Sequence, residues 1–154
     1  MRSMMKMGAV AIVLFAGSVA IAQESEFQDK IQEDLDGYKA QIIDACGTTA
    51  KLTLKWNGKL GGNPREIETG AYSGVSTLCT SALEGLHTAC QDNKVVKKSI
   101  GKVSGIVCTK GSGTIGYSLK GVTLTFTVDA KFDKNNAAGQ RDDLVSKLKK
   151  DLDK

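Results

Sequence analysis

The sequence predicts an α+β fold in which an antiparallel sheet is covered by three main helices and cross-linked by two disulfides. Three observations support this fold class. Apolar residues recur at helical steps over 26–46, over 73–92 and near the C-terminus. They alternate with polar residues over 52–56 and again from Ser104 onward. The four cysteines form an even set behind an N-terminal export signal, which favours disulfides over metal or redox chemistry.

The export signal is predicted at residues 1–22. Arg2 and Lys6 precede a ten-residue apolar run, and a small-x-small pattern ends at Ala22. The run is shorter than the roughly 20 residues that span a bilayer. We therefore expect cleavage after Ala22 and a single α+β domain over 23–154 in the periplasm or outside the cell, as is typical of small exported bacterial proteins.

The mature chain is expected to carry a small net charge. Removing the signal takes away two basic residues and no acidic one, which leaves 19 basic against 17 acidic residues. A net charge of about +2 does not support nucleic-acid binding or membrane binding.

The first half of the mature chain is predicted to be a helix, a strand and a loop. The helix covers 26–46, and Gly37 weakens it by about 1 kcal/mol relative to alanine. Leu52, Leu54 and Trp56 form the inner side of a strand. The glycine-rich segment 57–72 follows as a loop, with a brief edge strand around Arg65–Glu68 as an option.

A central helix is predicted over Ser73–Asp92, with Ser73 as its N-cap. Cys79 and Cys90 lie on this helix, eleven residues and roughly 16 Å apart, so they cannot bond to each other. Two schemes remain. We favour Cys46–Cys79 with Cys90–Cys108 because the second pair closes a short loop, and Cys46–Cys90 with Cys79–Cys108 is the alternative.

The second half is predicted to continue with a short element and a sheet. Residues 93–103 suit a helix capped by Asp92 or Asn93, and also suit a strand. Three strands then follow as an antiparallel meander, with Lys120-Gly121 linking the last two. Asn135 or Asn136 caps a final helix whose apolar residues are Leu144, Val145, Leu148 and Leu152.

No complete catalytic, cofactor or metal site is visible in the sequence. His87, the single histidine, lies three residues after Glu84, but no nucleophile can be placed beside it. The run Gly111–Gly116 has the letters of a dinucleotide fingerprint yet leads into a predicted strand. The segment from Asp133 lacks the glycine and glutamate of a calcium loop. We expect neither a cofactor nor a metal.

Two regions are candidate partner surfaces. Trp56, Arg65 and Tyr72 lie in or beside the 57–72 loop and are residue types enriched at binding hot spots, although Trp56 is first a core candidate. A basic cluster contains Lys94, Lys97, Lys98, Lys102 and Lys110. The leading hypothesis is a non-enzymatic binding module for an unknown protein or an anionic envelope partner. The alternatives are a small secreted enzyme using His87 or an unpaired cysteine, and a purely structural envelope component.

Overall fold

A computed structural model describes residues 26, 28–57, 71–111, 114–128 and 137–152, with the backbone alone for 71–75. Several predicted features therefore lie outside the described residues. They are the signal segment 1–22, the optional edge strand around Arg65–Glu68 and the caps at Asn135 or Asn136.

The first predicted helix is two helices. Residues 28–36 form α1, and Lys39–Cys46 form α2. The chain turns at Gly37 and Tyr38, where the Tyr38 amide bonds the carbonyl of Leu35, three residues back. The prediction of one continuous helix over 26–46 is wrong because the conformational freedom of Gly37 favours a break there. Gly47 ends α2 in the left-handed conformation, with φ 67°.

The next elements are strand β1 at Thr53–Trp56, helix α3 at Ala71–Asp92 and helix α4 at Lys94–Ile100. Helix α3 is the predicted central helix, but it begins before Ser73, so Ser73 is not its N-cap. Residues 94–100 resolve the helix-or-strand alternative in favour of a helix. Asn93 caps it, since its side chain accepts hydrogen bonds from the amides of Val95 and Val96.

Three strands and a last helix complete the described chain. Strand β2 covers Gly105–Lys110, β3 covers Gly116–Lys120, β4 covers Thr123–Val128, and helix α5 covers Ala137–Leu152. The turn between β3 and β4 is Gly121-Val122, one residue later than predicted. Val122 therefore lies in the turn and is 54% exposed.

The four strands form one mixed sheet in the order β1-β2-β4-β3. Strand β1 pairs with β2 in parallel, β2 pairs with β4 in parallel, and only β3 and β4 are antiparallel. The α+β class is confirmed in its broad form, as helices plus a sheet with two disulfides. The antiparallel sheet and the three-strand meander are wrong, since β2 does not pair with β3.

The burial of the strands explains this order. Leu124, Phe126 and Val128 of β4 are fully buried, so β4 occupies the centre of the sheet. Strand β3 has Tyr117 and Leu119 only partly buried and lies at the edge. The chain passes the end of β4 at Gly111, whose amide bonds the carbonyl of Val128. The β3–β4 hairpin thus places β4, rather than β3, beside β2.

The core lies between the helices and one face of the sheet. Buried apolar residues from α1 to α5 and from all four strands or their approaches form one cluster. Helix α3 is central to it and approaches α5 closely at Gly85, where a side-chain Cβ would lie 3.3 Å from the carbonyl oxygen of Arg141. The opposite face of the sheet carries small residues such as Thr123, Thr125 and Thr127, which are partly exposed.

The structure joins Cys46 to Cys90 and Cys79 to Cys108, with Cα atoms 5.0 and 6.0 Å apart. The favoured pairing is wrong, and the alternative pairing is the one present. The physical reason is the direction of the first helices, which run parallel to α3. Successive residues of α1 and α2 contact successive turns of α3 in the same direction.

Three contacts define that parallel alignment. Asp34 accepts a hydrogen bond from Ser76, Tyr38 donates to Glu84, and Cys46 bonds Cys90. The C-terminal ends of α2 and α3 therefore meet, which puts Cys46 at Cys90 and far from Cys79. Cys79 faces the sheet instead, where Cys108 lies on β2.

Candidate functional site

Helix α4 carries three lysines of the predicted basic cluster and packs closely on its neighbours. A seven-residue helix is not stable alone, so its position depends on packing. Val96 and Ile100 are fully buried beneath it. At its end, a Cβ on Gly101 would lie 3.3 Å from the carbonyl oxygen of Cys46, so the chain packs closely on the end of α2. The Cys46–Cys90 disulfide lies at the same junction.

Four lysines project from this fixed base. Lys94, Lys97 and Lys98 are spaced at three and four residues, which places them on neighbouring positions of α4. Lys102 follows two residues after the helix. All four are exposed, and none forms an ion pair with a carboxylate in the described part of the chain. We call these four residues the lysine surface. Val95, which is 41% exposed, lies among them.

Lys110 does not belong to this surface. Lys110 is the last residue of β2, whereas α4 leads to the first residue of that strand. Lys110 therefore lies about 17 Å from Gly105 along the strand. The predicted basic cluster includes Lys110 because this residue is close in sequence to Cys108. The structure separates it because the strand is extended.

Two further lysines lie at the same end of the sheet as Lys102. The carbonyl of Ser104 accepts from the amide of Thr53, and the amide of Ser104 donates to the carbonyl of Val122. The lysines precede these residues by two positions each: Lys51 precedes Thr53, Lys102 precedes Ser104, and Lys120 precedes Val122. Lys51 and Lys120 are not among the predicted surface residues, since no local pattern relates residues that far apart in the chain.

The acidic residues are concentrated elsewhere. Residues 26–46 contain six acidic and two basic residues, most of them exposed on α1 and α2. The small net charge of the protein therefore includes an acidic segment, 26–46, and a basic segment, 94–102, whose charges offset each other. Residues 94–102 contain four lysines and no acidic residue, so the local charge there is positive, and its potential falls off within about 8 Å at physiological salt.

The aromatic candidates do not form a described surface. Trp56 ends β1, is partly buried and packs against the core. Its indole N–H is buried with no hydrogen-bond partner among the described residues. Arg65 lies outside the described residues, as does most of the 57–72 loop. Tyr72 falls in the first turn of α3, where only the backbone is described.

Glu84 and His87 do not form an acid/base pair in the structure. Glu84 instead accepts a 2.8 Å hydrogen bond from the Tyr38 hydroxyl and pairs with Arg141 at 3.4 Å. Burial, followed by the hydrogen bond and the charge of Glu84, raises the pKa of Tyr38 to about 12. The hydrogen bond and charge of Asp142, followed by those of Glu84, raise the pKa of Arg141. The network joins α2, α3 and α5.

All four cysteines are disulfide-bonded and buried. The enzyme alternative that uses an unpaired cysteine therefore has no thiol. A small apolar cavity lies beside Cys79 and Cys108, lined also by Leu35, Leu83 and Phe126. The cavity volume, counted as the space open to the centre of a water molecule, is about 10 Å³. That is room for about one water, far below a ligand pocket of about 300 Å³ or more.

The described residues contain no group of three or more His, Cys, Asp or Glu residues that could hold a metal ion. The glycine run that begins at Gly111 leads into strand β3 at Gly116, as predicted, and not into a helix. No helix within the described ranges has both the length and the apolar character needed to cross a membrane.

Comparison with known proteins gives no further guide to the site. Neither a protein-family model, nor a curated protein, nor a solved structure matches this chain.

Proposed function

We propose that the protein is an exported, disulfide-bonded, non-enzymatic binding module that captures an anionic partner through the lysine surface. The observation that carries this proposal is that all four lysines are exposed and that none of them forms an ion pair with a described residue. On an ordinary solvated face, charges of opposite sign are interspersed. On α4 and the turn after it, four ammonium groups occur without a described carboxylate partner.

The chemistry of lysine indicates how such a surface recognises its partner. An ammonium group is a compact charge on a flexible stem, and it lacks the planar fork with which arginine reads a carboxylate. A lysine surface therefore selects for the density of negative charge more than for one geometry. Its binding is expected to weaken steeply as salt increases, because exposed charges are screened.

The rigid base of α4 supports the proposal. The Cys46–Cys90 disulfide and the close contact at Gly101 fix the helix on the ends of α2 and α3. The lysine side chains keep their freedom, while this packing sets the positions of their backbone. Less conformational entropy is lost on binding when the base is ordered in advance.

The proposal is tested with the mature, oxidised protein on two immobilised probes, polyglutamate and heparin. The test variant is Lys97→Glu with Lys98→Glu. Its matched control is Lys55→Glu with Lys110→Glu, which makes the same change in net charge at exposed strand positions away from α4. We expect retention of the control close to wild type and loss of at least about tenfold in affinity for the test variant, a difference of about 1.4 kcal/mol.

Two results would overturn the proposal. Equal losses in both variants would show that only net charge matters, and no retention of the wild type at low salt would show that the surface binds no polyanion. The second result is also what a purely structural envelope component predicts. Circular dichroism and denaturant unfolding of both variants establish that each is folded before binding is compared.

A further inference from the structure

The two edges of the sheet differ in how far side chains satisfy their outward-facing backbone groups. At the β1 edge, the Gln32 side chain of α1 forms two hydrogen bonds with the strand. Its Nε2 donates to the carbonyl of Leu54 at 2.8 Å, and its Oε1 accepts from the amide of Trp56 at 3.1 Å. These groups point away from β2, because the amides of Thr53 and Asn57 are the ones that bond the neighbouring strand. Gln32 thus occupies the place of a further strand.

At the β3 edge the described cover ends before the strand begins, where the Oε1 of Gln140 on α5 accepts from the amide of Ile115 at 2.9 Å. The two-residue turn Gly121-Val122 makes Lys120 and Thr123 a hydrogen-bonded pair. Since such pairs alternate along an antiparallel ladder, Ser118 also faces β4, and the backbone groups of Tyr117 and Leu119 face outward. No strand and no side chain in the described ranges pairs with those outward groups. An unpaired edge of this kind is a template for strand addition.

We propose that the β3 edge pairs with β3 of a second copy of this chain, antiparallel and centred on Ser118. In that register Tyr117 of each copy is hydrogen-bonded to Leu119 of the other. The two Ser118 residues meet at the two-fold axis as a pair without hydrogen bonds. The result is one continuous eight-stranded sheet, formed by a closed, self-complementary interface. This inference does not depend on the lysine surface.

The side chains of β3 fit this register. Lys120 of one copy lies opposite Gly116 of the other, so the ammonium groups are at opposite ends of the pair and do not repel. Ser118 is small and exposed, and Tyr117 and Leu119 are partly buried apolar residues on the helix-covered face, where a cross-strand partner buries them further. A parallel pairing would bring the two lysines together.

The size of the interface sets its strength. A five-residue strand buries less than the roughly 1,200 Å² of a standard stable interface, so a weak dimer is expected. The dimer should therefore appear as concentration increases and should dissociate on dilution. Sedimentation velocity of the mature, oxidised protein over a range of concentrations measures this directly.

A cysteine at position 118 tests the register. In a pair without hydrogen bonds, Cα atoms about 4.5 Å apart suit a disulfide. Under mild oxidation, Ser118→Cys is expected to form a covalent dimer at least about tenfold faster than Lys55→Cys, with both native disulfides retained by peptide mass. Lys55 is the matched control because it is exposed, on the same face, and in the strand that Gln32 covers.

A charge at the same position tests the dimer in the absence of any added thiol. Ser118→Lys places two ammonium groups opposite each other at the axis and should raise the dissociation constant at least about tenfold, whereas Thr53→Lys on β1 should not. The proposal is overturned if the wild type stays monomeric at every concentration. It is equally overturned if the two cysteine variants cross-link at the same rate, or if Ser118→Lys dimerises like the wild type.

Discussion

Cys79 of the central helix α3 is bonded to Cys108 of strand β2, with Cα atoms 6.0 Å apart and both residues buried. This bond fastens the helix to the sheet, while Cys46–Cys90 fastens it to the end of α2. The two bonds act at different places along α3, so they constrain different parts of the fold.

Peptide mapping without reduction is predicted to find only these two pairs. The bonded cysteines are separated by 44 and 29 residues, and loops of those lengths give a chain-entropy stabilisation of about 4 kcal/mol each. The double variants Cys46→Ala with Cys90→Ala, and Cys79→Ala with Cys108→Ala, should each lose stability of that order in denaturant unfolding. Peptides linking Cys90 to Cys108 in the wild type would contradict the structure.

The stability of the protein is predicted to fall at alkaline pH. Burial, followed by hydrogen bonds to Glu84 and Asp151 respectively, raises the pKa of Tyr38 and of Tyr117 to about 12. Their proton is therefore held more tightly in the folded than in the unfolded protein, where the pKa is about 10. This stabilisation is complete below about pH 10 and is lost as pH rises toward 12.

Denaturant midpoints measured from about pH 8 to about pH 11 check this dependence. The variants Tyr38→Phe and Tyr117→Phe should each have a shallower decline than the wild type. An unchanged slope in the double variant would show that other groups cause the alkaline loss.

The side-chain amide of Gln32, and not only the size of this residue, is predicted to stabilise the β1 edge. Gln32→Glu keeps an acceptor for the amide of Trp56 but has no donor for the carbonyl of Leu54, so it places two acceptors against each other. A loss of about 1–3 kcal/mol is expected, and Gln32→Met should also destabilise. Hydrogen exchange at the Trp56 amide should accelerate in the Met variant. Unchanged exchange there would contradict the edge contact.

Gly85 is predicted to be required where α3 and α5 cross. Alanine favours a helix by about 1 kcal/mol over glycine, so Gly85→Ala would stabilise an isolated helix. In the protein its Cβ would lie 3.2 Å from Cγ and 3.3 Å from the carbonyl oxygen of Arg141, which forces α5 outward. We expect a net loss of about 1–3 kcal/mol in unfolding free energy. A gain in stability would show that α5 moves away at no cost.

The elements that local pattern determines were predicted well. The helical spacing from Val75 to Cys90 predicts α3, and its rise per residue alone excludes a Cys79–Cys90 bond. Asn93 at the start of α4 is a cap that the sequence offers directly. The exposed lysines on α4 follow from the same helical periodicity.

The features that depend on distant parts of the chain were not predicted. The choice between the two disulfide schemes depends on α2 running parallel to α3, which no local pattern encodes. The insertion of β4 between β2 and β3 depends on which strand is most apolar. The position of Lys51 and Lys120 beside Lys102 follows only once that sheet has formed.

Residue-resolved amide NMR during a titration with heparin is the sharpest test of polyanion binding by α4 and the turn after it, with the oxidised protein over residues 23–154. If the lysine surface binds the polyanion, the largest chemical-shift changes occur over 94–102, are saturable, and disappear as salt is added. Saturable shifts confined to the Lys55 and Lys110 region, or spread evenly over the exposed lysines, would contradict it.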